Sequence, residues 1–169
     1  QTCALPISPA GDFTLWGRFS TNSENQNLSL VGLMIAEDLA AAPSTANIAV
    51  AGLLSDRNLG PKADRNTWSA YNARGFGGAG PPIGSSAWIR LRYDSTLNQF
   101  NSEWSSDGLT WFNAVTGGML NSGLTGDPAS IGIWCSNDSA IDPYIGFAKH
   151  FRVTASKDFD QVLPSADYE

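Results

Sequence analysis

Charge is scarce in this chain. Asp, Glu, Lys and Arg make up 15% of its 169 residues, where an average globular protein has about 25%. Its polar surface must be built instead from Ser, Thr, Asn and Gly, a composition that fits an extracellular β protein. Bases are fewer than acids, 10 Lys and Arg against 16 Asp and Glu, which leaves a formal charge of −6. Phosphate backbones and anionic membranes are held by clustered Lys and Arg, so nucleic acid is not an expected partner. No stretch approaches the ~20 consecutive apolar residues that span a bilayer, and no basic segment leads into an apolar one at the start, so no membrane insertion is expected. The chain begins at Gln1 and its only methionines are Met34 and Met119, as expected of a processed or excised polypeptide. A location outside the cell or on a particle surface follows from the same composition.

Chemistry-bearing residues are also few. The single histidine, His150, excludes a multi-His metal site and any triad that needs a second His; beside Lys149 on a strand it reads as a surface group. Cys3 and Cys135 are the only cysteines. They either form one bridge from the N-terminal segment to a late strand or remain unpaired, and spacing leaves both open. There is no CxxC, no P-loop and no GxGxxG between a strand and a helix. No segment sustains a 3.6-residue period and no internal repeat is visible.

What the chain does have is alternation. Within residues 88–112, Ile89, Leu91 and Tyr93 share one face of an extended segment and Trp88, Arg90 and Arg92 the other. Phe100, Ser102 and Trp104 then share a face opposite Asn101 and Glu103, and Ser106, Asp107 and Gly108 supply a turn. Residues 12–20 alternate Phe13, Leu15, Gly17 and Phe19 against Thr14, Trp16 and Arg18. Residues 28–36 are a dense apolar run with Gly32 inside it, as in a strand buried on both sides or crossing the sandwich interior, and residues 47–55 are another apolar strand whose small Ala49, Ala51 and Gly52 would let the opposing sheet approach closely. Residues 65–74, 129–136 and 144–154 read as further strands. The run 75–86, with five glycines and Pro81 and Pro82, reads as a long irregular loop. Composition that is 42% hydrophobic and 11% aromatic suffices for one core. The expectation is an all-β, antiparallel two-sheet β-sandwich over residues 12–154, with an extended lead-in at 1–11 and an acidic tail at 155–169.

Trp-x-Arg-Leu-Arg at 88–92, an aromatic strand, then Ser-x-Asp-Gly-x-x-Trp formed by Ser105, Asp107, Gly108 and Trp111, resembles the central hairpins of the concanavalin A-like lectin/glucanase superfamily, nearest its laminin G-like jelly rolls. The resemblance extends in outline over residues 12–154 and implies the jelly-roll sandwich more firmly than any activity. It implies that glucanases of the group would place catalytic carboxylates in a Glu-x-Asp-x-x-Glu run along one strand. That run is absent here, so the chain is expected not to be an enzyme. The only spaced acids near a strand are Asp94, Glu103 and Asp107; a glycoside hydrolase would have to be built on Glu103 and Asp107 across a turn, and Glu103 is expected instead to pair with Arg90 or Arg92 across the hairpin. Trp88 and Trp111 are expected in the core. Laminin G-like domains also imply a calcium ion at a rim, for which Asn137, Asp138 and Asp142 offer hard oxygens; no cofactor is required.

Sugars stack their C–H faces on aromatic rings and hydrogen-bond their hydroxyls to Asn, Asp and Arg. A sheet face carrying Trp68, Tyr71, Trp104 or Trp134 with Arg90 and Arg92 would therefore suit an oligosaccharide or polysaccharide. The expected function is non-catalytic, lectin-like carbohydrate binding. The alternative is a structural or assembly subunit, or a decoration domain of a virion, filament or surface layer, which would self-associate through apolar strands.

Overall fold

Among the described residues twelve strands form, the long ones mostly where the sequence alternates or runs apolar between turn residues. The structure is a computed structural model that describes residues 3–5, 11–21, 29–37, 47–55, 61–68, 74–115, 117–136 and 146–155. The strands are β1 (Cys3–Leu5), β2 (Phe13–Thr21), β3 (Leu30–Ala36), β4 (Ile48–Leu54), β5 (Lys62–Trp68) and β6 (Arg74–Pro82) in the first half. The second half holds β7 (Ser86–Asp94), β8 (Gln99–Ser105), β9 (Phe112–Asn113), β10 (Leu120–Asn121), β11 (Ser130–Ser136) and β12 (Gly146–Ala155). Among the described residues there is no helix, so none long and apolar enough to cross a membrane.

All pairings are antiparallel, in two sheets. The first runs β1-β11-β3-β4-β5-β6, and the second β10-β8-β7-β2-β12 with β9 also beside β8. The expected sandwich is what forms. Its core fills the space between the sheets with Phe13, Leu15 and Phe19 from β2, Ile89, Leu91 and Tyr93 from β7, and Val31, Leu33, Ile35 and Leu53 from the facing sheet. Strands β3 and β4 are buried along their whole length. Their other face joins Leu30, Met34, Ile48, Val50 and Leu54 to Trp134 in a second buried cluster, which is why both read as unbroken apolar runs.

Two departures from expectation have simple causes. Residues 74–82 form β6, although a loop was expected across 75–86. This strand is an edge, paired only with β5 and interrupted by register shifts. An edge strand needs hydrogen bonds on one side only and so tolerates proline and glycine. Cys3–Leu5, within the expected lead-in, pairs with β11 at the opposite edge. There Cys3 stands opposite Ile133, and Cys135 carries a free thiol, pushed up in pKa by burial. The bridge is not formed.

Gly32 and Gly52 face each other across β3 and β4. A Cβ on Gly32 would collide with the Ala51 carbonyl oxygen and the Gly52 backbone, neither of which can yield as a side-chain tip could. Gly32→Ala is therefore expected to cost about 2–3 kcal/mol by overpacking. Urea denaturation would register this as a lower midpoint at unchanged slope, and an unchanged midpoint would contradict the close approach.

Candidate functional site

The second sheet turns one face to the core and leaves the other outward. Its registers arrange the outward residues in rows across strands. One row runs Arg152, Trp16, Arg90, Glu103 and Asn113 over β12, β2, β7, β8 and β9. The rows beside it are Lys149, Arg18, Trp88 and Ser105, and Thr154, Thr14, Arg92 and Asn101. With four interstrand gaps of about 4.8 Å, the middle row spans roughly 19 Å.

Contacts tie these side chains into one layer. Arg90 Nε donates to Glu103 Oε2 at 2.6 Å, and Arg92 Nη1 lies 3.7 Å from Glu103 Oε1. The Arg90 guanidinium sits 4.2 Å from the centre of the Trp111 ring, and that ring meets Trp16 edge-on at 6.3 Å. On the far side Arg152 lies over Trp16 at 5.1 Å, while His150 stacks on Trp88 at 5.6 Å. A guanidinium over an indole face gains about 0.5–1 kcal/mol at an exposed site, so the arrangement is modest in energy and specific in geometry.

Trp111 reaches the layer because of the turn that precedes it. The Asp107 carboxylate accepts from Ser105 Oγ and from the Leu109 and Thr110 amides at 2.8–2.9 Å. Those three donors, the Thr110 amide first, hold its pKa down to about 2. Gly108 takes φ +77, and a Cβ there would press on the Trp88 ring at 3.1 Å. The Ser-x-Asp-Gly-x-x-Trp motif thus folds one tryptophan against the sheet and packs the turn itself against another.

Two shallow clefts open on this side. One, of ≈ 370 Å³, is lined by Trp16, Trp88, His150, Phe151 and Arg152. The other, of ≈ 500 Å³, lies at the sheet end between Asp12, Thr14, Arg92, Tyr93, Asp94 and Met119. Both fall in the ~300–1,000 Å³ range of small-molecule sites. Asp12 lies low in pKa because it accepts from the Ser95 amide and hydroxyl.

Of the residues expected to form a ligand face, the structure brings Arg90 and Arg92 together and turns Trp104 and Trp134 away from them. Trp104 points inward beside Ile89, packs on the core and leans on Phe112 at 5.2 Å. Trp134 is 6% exposed, in the first sheet. Trp68 belongs to β5 of that sheet, and only its backbone is described. Tyr71 and the calcium candidates Asn137, Asp138 and Asp142 lie outside the described residues. Trp88 and Trp111, expected in the core, lie on the outward face, because their strand and turn turn them away from Ile89 and Leu91. Trp16, His150 and Arg152 were not singled out for the site. The parity that puts Trp16 opposite Leu15 and Phe19 was the available signal. Glu103 pairs with both arginines, as expected. Among the described residues no three His, Cys, Asp or Glu gather as metal ligands.

At the end of the sheet, the Tyr93 hydroxyl donates to Asn98 Oδ1 at 3.1 Å. Burial, then the charges of Asp127, Asp94 and Asp12, push its pKa up from 10.0 to about 12. A raised folded-state pKa means that this stabilisation is whole below about pH 10 and is lost as pH rises through about 12. Spectrophotometric titration should find one of the four tyrosines ionising late, and Tyr93→Phe should abolish that step. All four ionising together near 10 would contradict it. Glu103→Gln should cost about 1–3 kcal/mol, since it leaves a partly buried guanidinium without its carboxylate, and thermal unfolding measures the loss.

No family model and no curated protein matches the chain. Solved structures do. The GH43 glycoside hydrolase protein BlXynB of Bacillus licheniformis superposes with a TM-score of 0.65 at 13% identity, over 86% of this chain and 28% of that one. A bifunctional GH43-CE protein of Bacteroides eggerthii gives 0.60 at 9%, over 93% of this chain and 21% of its own. A functionally unknown protein of Saccharomyces cerevisiae gives 0.57 at 12%, over 93% and 74%. The chain thus spans about a quarter of the length of the two GH43 chains. At these identities the likeness is one of fold. It also overturns the expectation that the chain is not an enzyme, since glycoside hydrolase chains contain a similar sandwich.

Proposed function

We propose that this chain engages carbohydrate through the outward face of its second sheet, as the β-sandwich of a glycoside hydrolase. The observation that carries the reading is the layer of Trp16, Trp88 and Trp111 on a solvent-facing sheet, interleaved with Arg90, Arg92 and Arg152. Indoles offer the flat apolar surface on which a pyranose C–H face stacks. Arginine, with the exposed Asn113, offers donors and acceptors for its hydroxyls. The likeness to GH43 chains lends support from a separate direction. Glycosidic cleavage needs two carboxylates flanking the bond, whereas the rows described hold one, Glu103, engaged by two arginines. We assign to this face the holding of the polymer during cleavage. Such a protein would act outside the cell, where polysaccharide is met.

Affinity electrophoresis through gels containing a panel of soluble plant polysaccharides tests this directly. At least one polymer should retard the chain, and Trp111→Ala and Arg92→Ala should each weaken that retardation about tenfold, equivalent to roughly 1.4 kcal/mol, with thermal unfolding little changed. Retardation by no polymer, or retardation indifferent to both substitutions, overturns the proposal.

A further inference from the structure

The chain is acidic, yet its second sheet is not. Of the ten Lys and Arg residues in a polypeptide of net charge −6, five lie in the three outward rows: Arg18, Arg90, Arg92, Lys149 and Arg152. Those rows contain one carboxylate. Glu103 is 8% exposed and already bonded to Arg90, so its charge is spent within the layer. Arg92 is loosely associated with it at 3.7 Å, and its side chain is 59% exposed. Among the described residues, Arg18, Lys149 and Arg152 contact no carboxylate. Of the described acids at the end of this sheet, Asp94 caps the Leu97 amide at 2.9 Å, and Asp12 holds Ser95.

Neutral sugars would use the indoles and the hydrogen-bonding groups and would leave these cations without a counterpart. We infer that the face is built for acidic polysaccharide, its rows of exposed guanidinium and ammonium groups taking the carboxylates of uronic acid residues whose rings stack on Trp16, Trp88 and Trp111. A guanidinium meets a carboxylate with two parallel hydrogen bonds, which fixes orientation as well as charge. Because the cations occur in successive rows on both sides of the indoles, a polymer with carboxylates at intervals can satisfy several at once.

This inference rests on the carbohydrate reading above, and its test separates the two. The probes are polygalacturonate, alginate and glucuronoxylan, each compared with the same polymer after reduction of its carboxyl groups to alcohols, which removes charge and keeps the ring. Calorimetry at about 50 mM salt should show at least one acidic polymer bound ten or more times more tightly than its reduced form. The ratio should fall several-fold at about 500 mM, where charges are screened beyond ~4 Å. A variant combining Arg18→Gln and Lys149→Gln changes two exposed side chains, and it should bring the ratio toward one with no loss of thermal stability. Equal binding of acidic and reduced polymers overturns the inference and leaves the carbohydrate reading standing. Binding of no polymer in either form overturns both. Duplex DNA held as tightly as the best acidic polymer also overturns the inference, since the face would then be a general polyanion surface.

Discussion

The register of β7 is the constraint on which the rest depends. This strand lies between β2 and β8, and each of its residues from Trp88 to Tyr93 has a partner on both sides. Its inward set, Ala87, Ile89, Leu91 and Tyr93, closes the core against the other sheet. Its outward set, Trp88, Arg90 and Arg92, makes the centre of the candidate site. Side chains alternate with a period of two, so a one-residue slip would bury two guanidinium groups and expose the core aliphatics. Burial of even one unpaired charge costs far more than a single domain's margin of stability allows. Core and site are therefore one decision about pairing, and the hydrophobic effect that selects the core positions the arginines without any further device.

That dependence explains what was legible in the sequence. The alternation of Phe13, Leu15 and Phe19, and of Ile89, Leu91 and Tyr93, was enough to read the sandwich and the two faces of its strands. The apolar runs announced β3 and β4 as strands, and burial on both sides was one of the two readings open for β3. The tryptophans were harder, because an indole is large enough to be core and amphipathic enough to be surface. Parity within each strand decides between these. Trp88 is out of phase with Ile89 and so faces outward, whereas Trp104 is in phase with Phe100 and Ser102 and so faces inward. Trp111 lies in a turn, where parity has no meaning, and Arg152 follows a register shift between Lys149 and Arg152 that resets the phase. An edge strand such as β6 escapes composition rules for another reason, since half of its backbone has no partner to satisfy.

The layer is held from both sides before any ligand arrives. Glu103 fixes the Arg90 guanidinium by a short charge-assisted bond, and that guanidinium lies over Trp111. From the other direction the Asp107 turn delivers Trp111 and rests Gly108 against Trp88. A side chain pinned at both ends loses little freedom on binding, and the saving in ordering entropy appears as affinity. The same pinning explains why Glu103, the one acid in the rows, functions here as a support. Two arginines share it, so its oxygens are already taken up in holding the layer.

The fold by itself is silent on use: the same sandwich occurs in GH43 chains and in a yeast protein of unknown function, and sites are grafted on folds. The charge pattern says more. In a chain with more acids than bases, mutual repulsion among cations is most easily relieved by scattering them beside carboxylates. Here five of the ten bases share one sheet face whose described rows hold a single carboxylate, Glu103, an arrangement that lowers the stability of the isolated protein. Anions brought from outside would relieve that repulsion. The acidic polysaccharide inferred above would supply them in a spaced array, on rings that match the indoles between the cations, so that one ligand would satisfy both components of the face, apolar and charged.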